Sequence, residues 1–247
     1  MPPRHVLLVS LLVLAPTAHA SGLALRWDAC AGEGTGTSVR SFACNTDAGQ
    51  DRIVGSFVPP VGMTGVQYIE LTLKLDTCPF LVGSPCGSTL PAWWQFYQAG
   101  TCRQNALAPS FVNDPANAVC QSWSAGEQWG AIASYQIGIF GPNTARLRMV
   151  AASVLPDAGD VAAETQYQAF ALTISHANTV GSGACGGCNQ PLAVIFTIAN
   201  LVPMNYLDPS LFIGNPLGAP YDAVAWWQSG PVAARVTTWG AVKALYR

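Results

Sequence analysis

The chain has 247 residues, of which only 10% are charged and 50% are apolar, and its formal net charge at pH 7 is −2. A chain of this length can bury a full hydrophobic core, and all-β domains often reach this size undivided. The scarcity of basic residues argues against nucleic acid and against a polybasic membrane-binding surface, because the phosphates or anionic lipids would stay unneutralised.

Residues 1–20 have the pattern of a secretory signal peptide. Arg4 precedes a nine-residue apolar run at 6–14, and the sequence AHA at 18–20 is a small-residue cleavage site. The apolar run is far shorter than the ~20 residues of a membrane-spanning helix. Cleavage also removes Arg4, which leaves ten basic against 13 acidic side chains and a net charge of about −3. We therefore expect export, and one domain over residues 21–247.

In the first half of the mature chain, a period of two dominates the apolar pattern. The clearest run is at 66–76, where apolar residues alternate with Tyr68, Glu70, Thr72 and Lys74, as in a half-buried strand. Weaker strand patterns lie at 52–58, 92–98 and 134–140, and a short helix is expected near 117–123.

The same period continues in the second half. Residues 143–151 place Arg146 and Arg148 on the polar face of a strand. Further strands are expected at 166–176, 192–201, 221–228 and 235–242, with a short helix at 156–165. The apolar stretch at 191–204 is too short to span a membrane as a helix. Many short strands separated by Gly, Pro, Asn and Asp predict an all-β fold, a disulfide-tied β-sandwich of jelly-roll type.

Eight cysteines follow the signal peptide, an even number in an oxidising compartment, which favours disulfides. They are Cys30, Cys44, Cys78, Cys86, Cys102, Cys120, Cys185 and Cys188. Their spacing along the chain favours four local pairs, each closing a loop rich in turn residues. These pairs are Cys30–Cys44, Cys78–Cys86, Cys102–Cys120 and Cys185–Cys188.

The segment Cys185-Gly-Gly-Cys188 is also compatible with zinc or with redox chemistry. A zinc site needs four ligands, but there is no second C-x-x-C, and His176 is the one histidine after residue 20. A redox centre is typical of a helix N-terminus, whereas Pro191 and a strand pattern follow here. Because glycine permits a tight turn, we expect a structural disulfide here, with no metal and no cofactor.

The sequence contains no recognisable catalytic motif, so no catalytic residue is assigned. His176 falls on the same face of the predicted strand at 166–176 as its alternating apolar residues. This position favours a hydrogen-bonded structural role for the histidine. Asp157 and Asp160 fit a solvated turn or a helix start. Asn113, Asp114 and Asn117 offer oxygen atoms of the kind that calcium binds, but a single acid is too few.

Paired aromatic residues are the main candidate for a binding site. If Trp94 and Phe96 face the core, then Trp93 and Tyr97 face outward, and Trp226 and Trp227 repeat the motif. Flat aromatic rings beside Gln suit the apolar faces and hydroxyls of sugars. The alternative is that all four tryptophans are core residues, since large aromatic side chains dominate burial energetics.

Several motifs spread over most of the mature chain resemble those of a group of uncharacterised secreted proteins from environmental bacteria. They are LRWDACAGEG, RSFACNTDAG, LPAWWQF, GTCR, GPNTAR and NTVGSGACGGC. The resemblance implies no activity and no catalytic residues. The ending TTWGAVKALYR is similar to endings of other exported proteins from such bacteria, and is either a sorting tail or a last strand.

The sequence leaves three functions open. The first is a non-catalytic, secreted or cell-surface binding protein, with polysaccharide as the ligand and other surface proteins as further partners. The second is a structural component of a surface assembly, which requires self-association. The third is a secreted hydrolase that uses a pair of carboxylates drawn from the scattered acids.

Overall fold

A computed structural model of the chain describes residues 21–78, 87–115, 118–154, 157–216 and 222–228. These residues form β-strands and one 3-10 helix, Ala92–Trp94. The strands are β1 Gly22–Trp27, β2 Val39–Arg40, β3 Gln50–Val58, β4 Met63–Asp76, β5 Leu107–Ser110, β6 Gln128–Ile137, β7 Thr144–Ser153, β8 Gly159–Val161, β9 Tyr167–Ser175, β10 Leu192–Pro203, β11 Leu211–Ile213 and β12 Val224–Trp227. The all-β prediction is confirmed. The expected signal peptide and the expected strand at 235–242 lie outside the described residues.

The strands form two sheets. The smaller sheet has the order β1-β3-β9-β5, and the larger has the order β2-β12-β10-β4-β7-β6, with β11 paired to β10 and β8 paired to β4. The predicted strands at 66–76 and 143–151 are β4 and β7, which pair antiparallel with Leu73 opposite Leu147. Buried side chains from both sheets form one continuous hydrophobic cluster. The fold is therefore a sandwich of two sheets, in which the polar row of β4 lies on the outer face.

Three local predictions are wrong. Residues 92–98 are not a strand: a 3-10 turn at Ala92–Trp94 lets both tryptophans of this segment enter the core, which an alternating strand does not allow. The expected helix at 156–165 contains strand β8 instead, where Gly159 lies so close to Trp123 that an added Cβ would be 1.9 Å from its carbonyl oxygen. Residues 118–123, the described part of the other expected helix, are not helical.

The disulfides join distant parts of the chain. The pairs are Cys30–Cys120, Cys44–Cys188 and Cys102–Cys185. Cys78 is also disulfide-bonded, and its expected partner Cys86 lies outside the described residues.

The predicted local pairs Cys30–Cys44, Cys102–Cys120 and Cys185–Cys188 are therefore wrong. The spacing of cysteines along the chain does not determine which loops the fold brings together. Cys185 and Cys188, although close in sequence, form disulfides with different partners. Three long-range disulfides fit an extracellular protein. Within the described residues, no helix is long and apolar enough to cross a membrane.

Candidate functional site

The tryptophans proposed as a binding platform are buried. Trp93 and Trp227 have no exposed surface, and Trp226 is 2% exposed. The rings of Trp93 and Trp227 stack with centroids 5.0 Å apart. Their indole N–H groups donate to Thr179 Oγ1 at 3.0 Å and to the Cys188 carbonyl at 2.6 Å, respectively. The prediction of an exposed platform is wrong for these three residues, and the alternative, a core role, is confirmed.

Tyr97 is 43% exposed but does not stand beside a second exposed aromatic ring of the predicted set. Its hydroxyl donates to the Leu107 carbonyl at 3.0 Å, and partial burial raises its pKa. Its backbone φ is +56°, which turns the chain after the 3-10 helix. Tyr97 thus anchors a loop to β5.

His176 is a structural residue, as its position on the apolar face of the predicted strand indicated. Its Nε2 lies 2.7 Å from Asp51 Oδ2 and its Nδ1 lies 2.9 Å from the Ala48 carbonyl oxygen. Phe42 stacks on the ring with centroids 3.8 Å apart. Both ring nitrogens are therefore engaged with groups of the fold, and the imidazole is buried.

The acidic candidates also have structural contacts. Asp160 Oδ1 accepts a hydrogen bond from the Gly65 amide at 2.9 Å, and Asp114 forms an ion pair with Arg52 at 2.7 Å. Asn117 lies outside the described residues, and those that are described include no group of three or more His, Cys, Asp or Glu side chains able to hold a metal ion.

A groove of about 500 Å³ crosses the outer face of the larger sheet. Its walls are a mixture of polar, charged and aromatic side chains from β4, β7, β10, β11 and the turn before β7. The lining residues are Glu70, Thr72, Lys74, Phe140, Arg146, Arg148, Thr197, Ile198, Asn200 and Phe212. We call this feature the Phe140–Phe212 groove, after the aromatic residues at its two ends.

Strand register places the polar lining side by side. Lys74 of β4 is opposite Arg146 of β7, and Thr72 is opposite Arg148. On the other side of β4, Glu70 is opposite Asn200 of β10. Since residues directly opposite in neighbouring strands project to the same face, the alternation of β4 and β7 fixes where these groups lie.

An irregularity in β10 adds to the floor of the groove. The pairing of β10 with β4 shifts between Phe196 and Ile198, so Thr197 is the extra residue of a β-bulge. Both Thr197 and Ile198 line the groove, and the Thr197 hydroxyl donates to the Thr72 carbonyl at 2.9 Å. Bulges commonly re-aim side chains next to binding sites.

Most charged side chains of the groove are held in place by neighbours. Lys74 Nζ is 2.6 Å from Asp76 Oδ2, and Glu70 Oε2 accepts a hydrogen bond from Asn200 Nδ2 at 3.1 Å. Arg146 donates through Nε to Gln136 Oε1 at 3.1 Å. These contacts reduce the conformational entropy that the side chains lose when a ligand binds.

Arg148 differs from the other cations of the groove. Its side chain is exposed and makes no hydrogen bond or ion pair with any other residue that the structure describes. Its guanidinium group therefore has its donors available for a ligand.

Phe140 and Phe212 are exposed by 58% and 64%. Phe140 precedes β7, and its ring lies 5.9 Å from the Arg146 guanidinium carbon. Phe212 is opposite Asn200 in the three-residue strand β11. Sequence reasoning placed Arg146 and Arg148 on the polar face of their strand but missed both phenylalanines. Phe140 was the last residue of a weak strand pattern. The strand that contains Phe212 was too short to show an alternating apolar pattern.

Comparisons of the chain with protein-family models, with curated proteins and with solved structures find no match.

Proposed function

We propose that the chain is an exported, non-catalytic polysaccharide-binding protein whose binding site is the Phe140–Phe212 groove. The observation that carries the proposal is an open groove on the outer face of the larger sheet, with an exposed aromatic ring at each end and hydrogen-bonding side chains between them. Its volume is within the usual range of ligand sites, about 300–1,000 Å³.

The chemistry of the lining suits sugar rings. A pyranose ring has a face of C–H bonds that packs against an aromatic ring, and its rim of hydroxyls bonds to charged and amide groups. Phe140 and Phe212 offer the first contact, and Thr72, Asn200 and the cations offer the second.

The dimensions suit a chain of sugars rather than a single one. Strands β11 and β7 are separated by β10 and β4, which corresponds to about 14 Å at ~4.8 Å per strand spacing. Along β4, the step from Glu70 to Lys74 adds about 13 Å. The two aromatic ends therefore lie on a diagonal on the order of 20 Å, long enough for several sugar rings.

The arrangement favours binding over hydrolysis. Glycosidases use two carboxyl groups about 5–10 Å apart. Glu70 is the one carboxylate among the lining residues of the groove, and Asp76 lies six residues further along β4, a distance on the order of 20 Å. Asp76 is also engaged by Lys74 at 2.6 Å and by the Cys78 amide at 2.8 Å.

The proposal includes a jelly-roll-type wrapping of the chain and a secreted or cell-surface location. The chain passes repeatedly from one sheet to the other, which supports the wrapping. The crossings are between β1 and β2, β2 and β3, β3 and β4, β4 and β5, β5 and β6, β8 and β9, and β9 and β10. The disulfides and the signal-like sequence at 1–20 support the location.

Affinity electrophoresis through gels that contain different polysaccharides tests the proposal. We expect at least one polysaccharide to retard the oxidised protein, and Phe140→Ala and Phe212→Ala each to reduce the retardation several-fold, because each removes a stacking surface. Tyr206→Ala is the matched control, since Tyr206 is an 85% exposed aromatic residue outside the groove. Absence of retardation across neutral and acidic polysaccharides would refute the proposal, as would equal effects of all three variants.

A second candidate function is a contact with other surface proteins or with further copies of the chain. The connection between β10 and β11 exposes Tyr206 by 85% and Leu207 by 79%, beside the half-exposed Met204. Such a tip fits a protein contact. Size-exclusion chromatography at high concentration is expected to show an assembly that Tyr206→Ala weakens and Phe212→Ala does not; a monomer at every concentration would remove self-association.

A further inference from the structure

We infer that the Phe140–Phe212 groove selects anionic polysaccharides, specifically those whose sugars carry carboxylate groups. This inference rests on the proposed function, since it names the class of polysaccharide that the same groove takes.

The charge of the groove is opposite to the charge of the chain. Residues 21–247 carry a net charge of about −3, with ten basic against 13 acidic side chains. Three of those ten cations, Lys74, Arg146 and Arg148, line the groove with a single acid, Glu70. Lys74 is paired with Asp76 at 2.6 Å, so three cations stand against two carboxylates, and the groove carries a local excess of one positive charge on a negative protein. A positively charged surface on a protein of negative net charge attracts an anionic ligand to that surface, and the rest of the protein repels it.

The positive charges lie where a polymer would pass. Arg146 and Arg148 project from the same strand two residues apart, and Lys74 stands opposite Arg146 on the neighbouring strand. The cations therefore occupy adjacent rows across the middle of the groove and at its Phe140 end, next to the ring that Arg146 approaches at 5.9 Å. A polysaccharide stacked on Phe140 would place the substituents of its next sugars over this row.

Arg148 is the residue that recognises the carboxylate. Its guanidinium is exposed and has no partner among the residues that the structure describes, whereas Lys74 and Arg146 are already held by Asp76 and Gln136. A free planar guanidinium binds a carboxylate through two parallel hydrogen bonds, a geometry that hydroxyls do not match as well. Neutral sugars would leave this charge without a counterpart.

The experiment compares charged and uncharged forms of the same sugar. Binding of the oxidised protein to oligosaccharides of galacturonate, mannuronate and guluronate is measured by isothermal titration calorimetry, alongside the methyl esters of the same oligosaccharides and neutral glucans of equal length. We expect at least one uronate to bind at least tenfold more tightly than its methyl ester. The difference is expected to shrink as salt rises, because screening weakens attraction between exposed charges.

Variants locate the effect. Arg148→Gln is expected to weaken uronate binding about tenfold, the size of one lost charge-assisted contact, and to weaken binding of the methyl ester by a clearly smaller factor, because the ester loses only a hydrogen bond to a neutral oxygen. Arg148→Lys retains the positive charge but lacks the two parallel donors of the guanidinium. Its affinity for the uronate is expected to lie between those of the wild type and Arg148→Gln. Phe212→Ala is expected to weaken the uronate and its ester equally, since stacking does not depend on the charge.

Failure of the inference differs from failure of the proposed function. If neutral glucans or methyl esters bind as tightly as the uronates, the inference is wrong and the polysaccharide site stands. If no oligosaccharide binds, the proposed function itself is wrong. If a random-sequence DNA binds as tightly as the uronates and Phe212→Ala has no effect on either, the groove is only a general anion surface, which overturns both.

Discussion

Arg103 offers a test of how the loops above the core are held. The side chain has no exposed surface, yet it carries a charge. Its guanidinium donates to the Trp93 carbonyl at 3.1 Å, to the Ser175 carbonyl at 2.7 Å and to the Ala177 carbonyl. Burial lowers its pKa to about 10, opposed by the carboxylate of Asp47, so the group is still protonated at neutral pH.

Replacing Arg103 with Met retains most of the apolar stem and removes every donor. A hydrogen bond to a charged group contributes about 1.5–3 kcal/mol, and a buried carbonyl left without a partner, as that of Trp93 would be, costs about 1–3 kcal/mol. The guanidinium carbon also lies 4.0 Å from the centre of the Trp93 ring, a cation–π contact of about 2 kcal/mol when desolvated. Because contributions within one cluster do not add fully, we expect Arg103→Met to lower the free energy of unfolding by about 4 kcal/mol.

Guanidinium chloride unfolding of the oxidised protein at neutral pH, followed by tryptophan fluorescence, measures this loss. Arg148→Met is the matched control, since it makes the same chemical change at an exposed arginine and should alter stability by less than about 0.5 kcal/mol. Arg103→Lys is expected to fall between them, because an ammonium group is a compact donor that does not span three carbonyls. A loss below about 1 kcal/mol for Arg103→Met would refute the reasoning.

Three further predictions concern the turn at Cys185–Cys188, the disulfides and Tyr135. Gly187 has φ +96° and an added Cβ would lie 2.3 Å from Pro91 Cβ, whereas Gly186 has open space. Gly187→Ala is therefore expected to lower the free energy of unfolding by about 1–3 kcal/mol and Gly186→Ala by less than about 0.5 kcal/mol. Equal losses for the two variants would contradict this. Proteolysis without reduction, followed by mass spectrometry, should yield linked peptides containing Cys30–Cys120, Cys44–Cys188 and Cys102–Cys185, and peptides linked Cys30–Cys44 would exclude this topology. Tyr135 is buried and donates to the Trp94 carbonyl, and burial raises its pKa. The folded state thus keeps a proton that the unfolded state loses above about pH 10, so stability should fall as pH rises from about 9 to 11. Tyr135→Phe should flatten that fall, and an unchanged slope would show that Tyr135 does not cause it.

The sequence predicted the parts of the fold that local pattern controls. The strict alternation over 66–76 and 143–151 identified β4 and β7 and assigned Arg146 and Arg148 to the solvent face, where they line the groove. Strand 192–201 was recognisable because both of its faces are apolar.

Features that depend on distant contacts were not predictable in this way. Trp93 is in the core because Trp227, more than a hundred residues away in the chain, stacks on it at 5.0 Å. The disulfide pairing depends on which loops of the two sheets lie close together in the fold, and the spacing of the cysteines in the sequence does not predict this. Phe212 lies in the groove because β11 pairs with β10. A strand of three residues is too short to show a recognisable alternation of apolar and polar residues.

A crystal structure of the oxidised protein, residues 21–247, grown with the uronate oligosaccharide that binds most tightly, tests the central claim most directly. The account predicts sugar rings between Phe140 and Phe212, with a carboxylate within hydrogen-bonding distance of the Arg148 guanidinium. Sugar ordered at another surface, with the groove open to solvent and empty, would contradict it.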